Sequence, residues 1–224
     1  MYVPNFDKYA LSDGASTRSV KGRDILSYGI ESIKSLYDLF EGARKKRAAR
    51  GGYTTHAEQD LLRSMLVFSA ATLDSVVKQV IRDQIPQIAK LPVTAQEEFR
   101  QYIVRHLSKG PQVNVDSLAA SLAGADPRAH FIDAYVADLT GDSLQSKAQL
   151  LRAAAATGVN LGLQKADHDQ LDKLFAARNQ IIHELDYLTA KQKKKQRNRR
   201  NRGRDEVIKW SERLLGLAAT FLKS

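Results

Sequence analysis

Apolar residues recur at helical spacing through most of this chain, and that period constrains the possible folds more than any other feature. They return every three or four residues, so that each segment carries one apolar face. No two alternating apolar runs are joined by a hairpin turn, which is the usual signal for an antiparallel sheet. The pattern therefore predicts an all-α protein. Helices are predicted at about 24–49, 115–123, 127–138, 142–156, 167–189 and 205–223.

Two capping-box patterns predict where further helices begin. Thr55 is followed three residues later by Glu58, and Thr94 is followed in the same way by Glu97. In such a box the hydroxyl and the carboxylate each satisfy a backbone N–H that the first helical turn leaves unpaired. The first box predicts the start of a long helix, and the second predicts a shorter helix that ends near Gly110.

The order of these segments predicts a single helical domain over residues 1–224. Helices at about 24–90 and 167–222 form its predicted core. The intervening stretch, at about 92–165, is rich in Ala, Gly and short turns, which indicates a helical insertion. Within it, Asp126-Pro127 predicts a helix start, because proline lacks only a donor that would be unpaired there anyway.

Composition excludes several kinds of chemistry. The chain has no cysteine, so it has no disulfide, no thiol nucleophile and no cysteine-bound metal. Its five histidines are scattered, without an HExxH or a His-x-x-x-His pair, so no metal site and no cofactor are expected. No apolar run of about eighteen residues and no secretory signal is present, which predicts a cytoplasmic protein without a membrane span.

Positive charge is concentrated in one short segment. The net charge is +10, and residues 191–204 contribute nine Lys or Arg and no acid, which leaves 26 basic and 25 acidic residues elsewhere. Such a block is either a solvated loop or a binder of phosphates that does not read sequence, since it has no aromatic residue to stack on bases. We expect it to contact RNA. Its cations are Lys191, Lys193, Lys194, Lys195, Arg197, Arg199, Arg200, Arg202 and Arg204.

The helix predicted at 167–189 has a charged residue in the middle of its apolar stripe. That residue is Arg178, and a buried guanidinium is costly unless it is paired. Asn179 and His183 are four residues apart, so they are neighbours on one flank of the helix, within reach of Arg178. The stripe consists of Leu171, Leu174, Phe175, Ile181, Ile182, Leu185 and Leu188.

These three residue types together suit cleavage of an RNA phosphodiester by the adjacent 2′-hydroxyl. Histidine transfers protons near neutral pH, arginine holds the charge on the phosphorane without a metal, and asparagine orients either one. Two other Arg/His pairs at similar spacing are weaker candidates. Arg50 and His56 are separated by Gly51-Gly52 and cannot share a helix, whereas Arg100 and His106 lack the asparagine.

The segment Arg178-Asn179-Gln180-Ile181-Ile182-His183 resembles the signature of the HEPN superfamily. That signature is an arginine, a polar residue and then a histidine, on a late helix of an all-helical domain. The segment SMLVFSAATLDSVV is similar to a core helix of the RiboL-PSP and related prokaryotic HEPN groups. The resemblance covers 24–90 and 167–222 and leaves the middle region uncovered.

The resemblance implies a four-helix core, a homodimer, and a composite site where the motifs of two copies face each other. It implies a metal-independent endoribonuclease of a toxin–antitoxin or phage-defence system, leaving 2′,3′-cyclic phosphate and 5′-hydroxyl ends. Arg178, Asn179 and His183 would be its catalytic residues. RNA would be its substrate, and an antitoxin or defence-system protein would be a further partner.

Several alternatives stay open at this point. The chain could bind RNA through 191–204, or a protein through an exposed helix face, without cleaving anything. It could also be the HEPN partner of a nucleotidyltransferase-type antitoxin. Arg178 could be structural, paired with a carboxylate such as Asp74, and His183 could simply cap a helix face. Glu184 and Asp186 directly follow the motif; Asp186 could orient the site, but we favour the interpretation that both belong to a solvated face.

Overall fold

The computed structural model describes residues 2–48, 53–108, 123, 126–188 and 199–223. Within them the prediction of an all-α chain is confirmed: there are seven α-helices, and extended backbone pairs only in isolated bridges. The predicted helix at 115–123 lies almost entirely outside these residues, and a HEPN-type bundle stays a prediction. The helices are α1 Val20–Lys46, α2 His56–Gln84, α3 Val93–Ser108, α4 Pro127–Thr140, α5 Lys147–Thr157, α6 Lys165–Glu184 and α7 Arg204–Leu222.

Helix α2 is the centre of the core. It packs along α1 and α7 over most of its length, and it also contacts α4, α5 and α6. By length and composition the stretch His56–Lys90 could cross a membrane, but 56% of its most apolar part is buried inside the protein, as in a core helix. Its fully buried side chains include Leu62, Met65, Leu66, Leu73, Val76, Val80 and Ile81.

Helices α1 and α2 are antiparallel and approach each other closely. Near the middle of α1, Gly29 lies against Thr72, and at its end Arg47 pairs with Glu58 in the first turn of α2. The missing side chain of Gly29 is what allows the two backbones to come this near. In the predicted insertion, helix α3 packs on α4 and on α5, and α4 and α5 also contact α2.

Two of the predicted caps are confirmed and one is wrong. The Thr55 hydroxyl accepts a hydrogen bond from the Glu58 N–H at 3.2 Å, and the Glu58 carboxylate accepts one from the Thr55 N–H at 2.9 Å. Asp126 caps α4 through its carboxylate. Thr94, however, lies inside the first turn of α3, because the carbonyl of Pro92 already accepts the first helical hydrogen bonds.

The Glu58 carboxylate makes the stability of the fold depend on pH. The residue is 2% exposed, and Arg47 donates to its carboxylate from Nη2 at 3.0 Å. Burial alone would raise the pKa of Glu58, but the hydrogen bonds from Arg47 and from the Thr55 backbone outweigh burial and lower it. We therefore expect Glu58→Gln to reduce the free energy of unfolding at pH 7 by about 1–2 kcal/mol.

The sign of the pH dependence follows from the lowered pKa of Glu58. The wild-type advantage over Glu58→Gln should be complete above the unfolded-state pKa, near 4.5, and should decline as pH falls through the lower folded-state pKa. Denaturant unfolding at pH 7 and at pH 3 measures this difference. The exposed Glu31→Gln is the control. An advantage that is as large at pH 3 as at pH 7 would contradict the ionised, hydrogen-bonded carboxylate.

Candidate functional site

Helix α6 carries the predicted site residues, and it lies against α2 and α5. Most of its predicted apolar stripe is buried, through Leu171, Leu174, Phe175 and Ile181. The later part of the stripe was predicted wrongly. Ile182 is 40% exposed and Leu185 is 65% exposed.

The helix ends earlier than its apolar pattern predicts. It stops at Glu184, because the next two residues, Leu185 and Asp186, have left-handed backbone conformations with φ of 50° and 58°. Their N–H groups donate to carbonyls of the last helical turns, at 3.1 Å each. The helix therefore ends one residue after His183, and the left-handed turn begins at Leu185.

Arg178 is half-buried in the middle of the α6 stripe, as predicted. Its Nη1 donates to the Asn179 Oδ1 at 2.9 Å, and its Nε is buried without a hydrogen-bond partner among the described residues. Burial lowers the pKa of the Arg178 guanidinium, and the Asp74 carboxylate opposes this from a distance. In the part of the chain that the structure describes, Arg178 has no ion pair within 4.0 Å.

The carboxylate suggested as a structural partner of Arg178 is occupied elsewhere. Asp74 accepts a hydrogen bond from the Leu144 N–H at 2.8 Å and pairs with Lys78 at 3.0 Å. Its charge is thus shared with a lysine one turn along α2 and with the loop before α5. The guanidinium of Arg178 keeps a positive charge that no described carboxylate neutralises by direct contact.

Asn179 joins α6 to the loop between α4 and α5. Its side-chain oxygen accepts from Arg178, and its Nδ2 donates to the Gln145 carbonyl at 3.1 Å. Both ends of the amide are therefore used, which fixes its orientation. Asn179 in turn holds one nitrogen of the Arg178 guanidinium, and its orienting role in catalysis stays a prediction.

His183 is exposed near the end of α6. It lies one helical turn after Asn179, and its ring makes no hydrogen bond or ion pair with the described residues. The structure thus brings Arg178 and Asn179 together and places His183 on the flank that Asn179 occupies. No hydrogen bond joins the Arg178 and His183 side chains in the described part of the chain.

Asp186 is buried, which corrects the interpretation of a solvated face. Its side chain is 0% exposed and lies between two guanidinium groups that are each 5% exposed. Arg63 of α2 donates from Nε to Oδ2 at 2.9 Å, and Arg202 donates from Nε to the same oxygen at 3.0 Å and from Nη2 to Oδ1. We call these three residues the Asp186 clamp.

Sequence reasoning missed the clamp, although one signal was present. Arg63 interrupts the apolar stretch of α2 in the same way that Arg178 interrupts the stripe of α6. A charged residue at such a position indicates a buried partner or a function. The partner is 123 positions away along the chain, and the local pattern gives no indication of which carboxylate it is.

The predicted RNA-binding block divides into two parts. Lys191, Lys193, Lys194, Lys195 and Arg197 lie outside the described residues. Of the remainder, Arg200 is exposed, whereas Arg199 donates to the Leu185 carbonyl at 2.8 Å and pairs with Asp60 at 2.9 Å.

The last two arginines of the block belong to the fold. Arg202 is part of the Asp186 clamp, and Arg204 at the start of α7 pairs with Glu41 at 2.7 Å and donates to the Tyr37 hydroxyl at 2.8 Å. A phosphate could reach Arg202 only by displacing Asp186. We therefore assign Arg202 and Arg204 a structural role in place of the predicted RNA contact.

Comparison of the chain with protein-family models, with curated proteins and with solved structures found no match. Among the described residues, no three His, Asp or Glu side chains are grouped so that they could hold a metal ion. The function of the chain is therefore inferred from the chemistry of the α6 residues and from the resemblance of their motif to the HEPN signature.

Proposed function

We propose that this chain is a metal-independent endoribonuclease of the HEPN type, from a toxin–antitoxin or phage-defence system. Its catalytic residues would be Arg178, Asn179 and His183. The observation that carries the proposal is a half-buried arginine with no described carboxylate at ion-pair distance, on the same helix as an exposed histidine. An anionic substrate would supply the counter-charge that the described residues do not give Arg178.

Each residue has a task in cleavage by the RNA 2′-hydroxyl. The bond from the 2′ oxygen to phosphorus forms while the bond from phosphorus to the 5′ oxygen breaks. A base removes the 2′ proton and an acid protonates the departing 5′ oxygen, and His183 can serve in either role. Arg178 donates to the phosphorane oxygens, and Asn179 keeps the guanidinium oriented through its own bond to Gln145.

A second copy of the chain would complete this site. One histidine of the motif cannot be base and acid in the same step, whereas two copies supply one histidine for each task. The exposed Ile182 and Leu185 lie on either side of His183 along the chain, and a second copy that covers them would bury apolar surface beside the motif. We therefore propose a homodimer whose interface includes the end of α6.

The cations of 191–204 that the fold does not use would hold the RNA backbone. Such contacts are to phosphates, so binding should weaken steeply as salt concentration rises and should depend little on base sequence. Arg199 and Arg200 lie directly beside the turn that follows His183. RNA bound there would lie close to the proposed site.

The deciding experiment is incubation of the purified chain with a labelled single-stranded RNA in EDTA. We expect cleavage without added metal, with 2′,3′-cyclic phosphate and 5′-hydroxyl ends on the products, and a dimer by light scattering. The same RNA in Mg²⁺ is the parallel sample. Cleavage only with Mg²⁺ would contradict the proposal. Salt-sensitive binding of RNA that stays intact would instead support a binding module.

A further inference from the structure

The turn that follows α6 has a left-handed backbone that disfavours Leu185, whereas an aspartate tolerates it. Leu185 and Asp186 are consecutive left-handed residues, and neither is glycine. Side chains disfavour this conformation because Cβ comes too close to the following carbonyl oxygen. Such a turn persists only where the surrounding structure holds it.

The Asp186 clamp is what holds the turn. A fully buried carboxylate between two nearly buried guanidinium groups has strong, directional hydrogen bonds and no competing water. The backbone of Asp186 is also held, since its carbonyl accepts from the Arg200 N–H at 2.8 Å. Both the side chain and the main chain of this residue are therefore fixed.

Each of the two arginines also makes hydrogen bonds outside the clamp. Arg202 also donates to the Gln180 side-chain oxygen at 3.1 Å, inside the α6 turn that carries His183. Arg63 donates to Asp60 at 2.9 Å and to the Arg200 carbonyl at 2.7 Å, so the clamp is anchored on α2. The last turn of α6 is thus tied to the core helix through side chains.

We propose that Asp186 is a positioning residue, which through Arg63 and Arg202 fixes the last turn of α6 and so the placement of His183 relative to Arg178. This inference rests on the proposed function as far as cleavage is concerned. The part that concerns the helix end can be measured without any substrate. In the proposed cleavage reaction Asp186 touches no reacting atom, and it acts only through the backbone that follows His183.

The test compares two variants that each neutralise a buried carboxylate. Asp186→Asn removes the charge from the clamp. Glu212→Gln removes it from a carboxylate of α7 that is 5% exposed and bound by Lys8 at 3.1 Å, with no hydrogen bond to the described residues of the Asp186 clamp. Both should lose stability, and only Asp186→Asn should affect the end of α6. For cleavage we expect a loss in kcat on the order of a hundredfold, with KM changed less than about twofold.

Amide hydrogen exchange measures how firmly the end of α6 is held, and this measurement does not depend on RNA cleavage. In Asp186→Asn the amides of Leu185 and Asp186 should lose protection, and they should keep it in Glu212→Gln. If Asp186→Asn does not fold, Arg63→Lys is used, since lysine keeps the charge but cannot reach Asp186, Asp60 and the Arg200 carbonyl together.

The outcomes separate this inference from the proposed function. Protected amides in the Asp186 or Arg63 variant would overturn the positioning role, and so, where the wild type cleaves RNA, would cleavage by that variant equal to that of Glu212→Gln. Lost protection in the variant, combined with no cleavage by the wild type, would support the clamp and overturn the ribonuclease. Lost protection together with a fall in kcat supports both.

Discussion

His183→Ala is expected to lower the rate of RNA cleavage by a factor on the order of 10²–10⁴, which is the usual contribution of a positioned acid or base. The fold should be unaffected, because the side chain is exposed and makes no hydrogen bond with the described residues. His168→Ala is the matched control, since His168 is a half-buried histidine near the opposite end of the same helix. Single-turnover cleavage in EDTA measures the rates.

Arg178→Ala should lower the same rate by about 10²–10³-fold, because it removes the donors that would face the phosphorane charge in the proposed reaction. Arg178→Lys should recover little of this loss, since an ammonium cannot bond to Asn179 and to a phosphate oxygen in the fork geometry of a guanidinium. Circular dichroism checks that both variants are folded. If His183→Ala or Arg178→Ala kept full activity while the His168→Ala control was also active, the proposed catalytic role of the α6 residues would be wrong.

Gly29→Ala is expected to cost about 3 kcal/mol in the free energy of unfolding, the upper range for an overpacked core. A Cβ at Gly29 would lie 2.3 Å from Oγ1, 2.4 Å from Cγ2 and 2.9 Å from Cβ of Thr72. Thr72 cannot swing away, because it is β-branched in a helix and its hydroxyl donates to the Phe68 carbonyl at 2.8 Å. The two helices would have to separate at the centre of the core.

Gly42→Ala is the matched control in the same helix. Its Cβ would meet nothing within 4 Å, so this substitution should stabilise the protein by about 0.5–1 kcal/mol through helix propensity. Thr72→Ala added to Gly29→Ala should restore part of the lost stability, because two of the three clashing atoms disappear. Urea unfolding measures all three variants. A loss below about 1 kcal/mol for Gly29→Ala would show that α1 and α2 are less closely packed than described.

The local signals in the sequence were reliable where a few neighbouring residues decide the outcome. The box at Thr55 and Glu58 forms as its spacing predicts, because both partners lie within one helical turn. The same spacing failed at Thr94, where Pro92 starts the helix earlier. A proline carbonyl near a helix start can accept the first bonds, and the capping pattern takes no account of that competition.

The candidate site was predictable in part for the same reason. Arg178, Asn179 and His183 are close in sequence, so a helical wheel places them on adjoining faces of α6. The wheel cannot show that Asp74 is occupied by Lys78 and Leu144 instead of Arg178. Nor can it show that α6 ends before Leu185, since residues distant in the chain hold that turn.

Residue types and their spacing were enough to predict that the described chain is helical, where most helices begin, and which helix carries an arginine and a histidine together. These features depend on contacts within one or two turns. The burial of charges, in contrast, follows from contacts between segments that are distant in the chain. Asp186 and Arg202 look like solvated residues in the sequence, but in the fold they are enclosed with Arg63 of α2, and a buried charge is stable only beside its opposite.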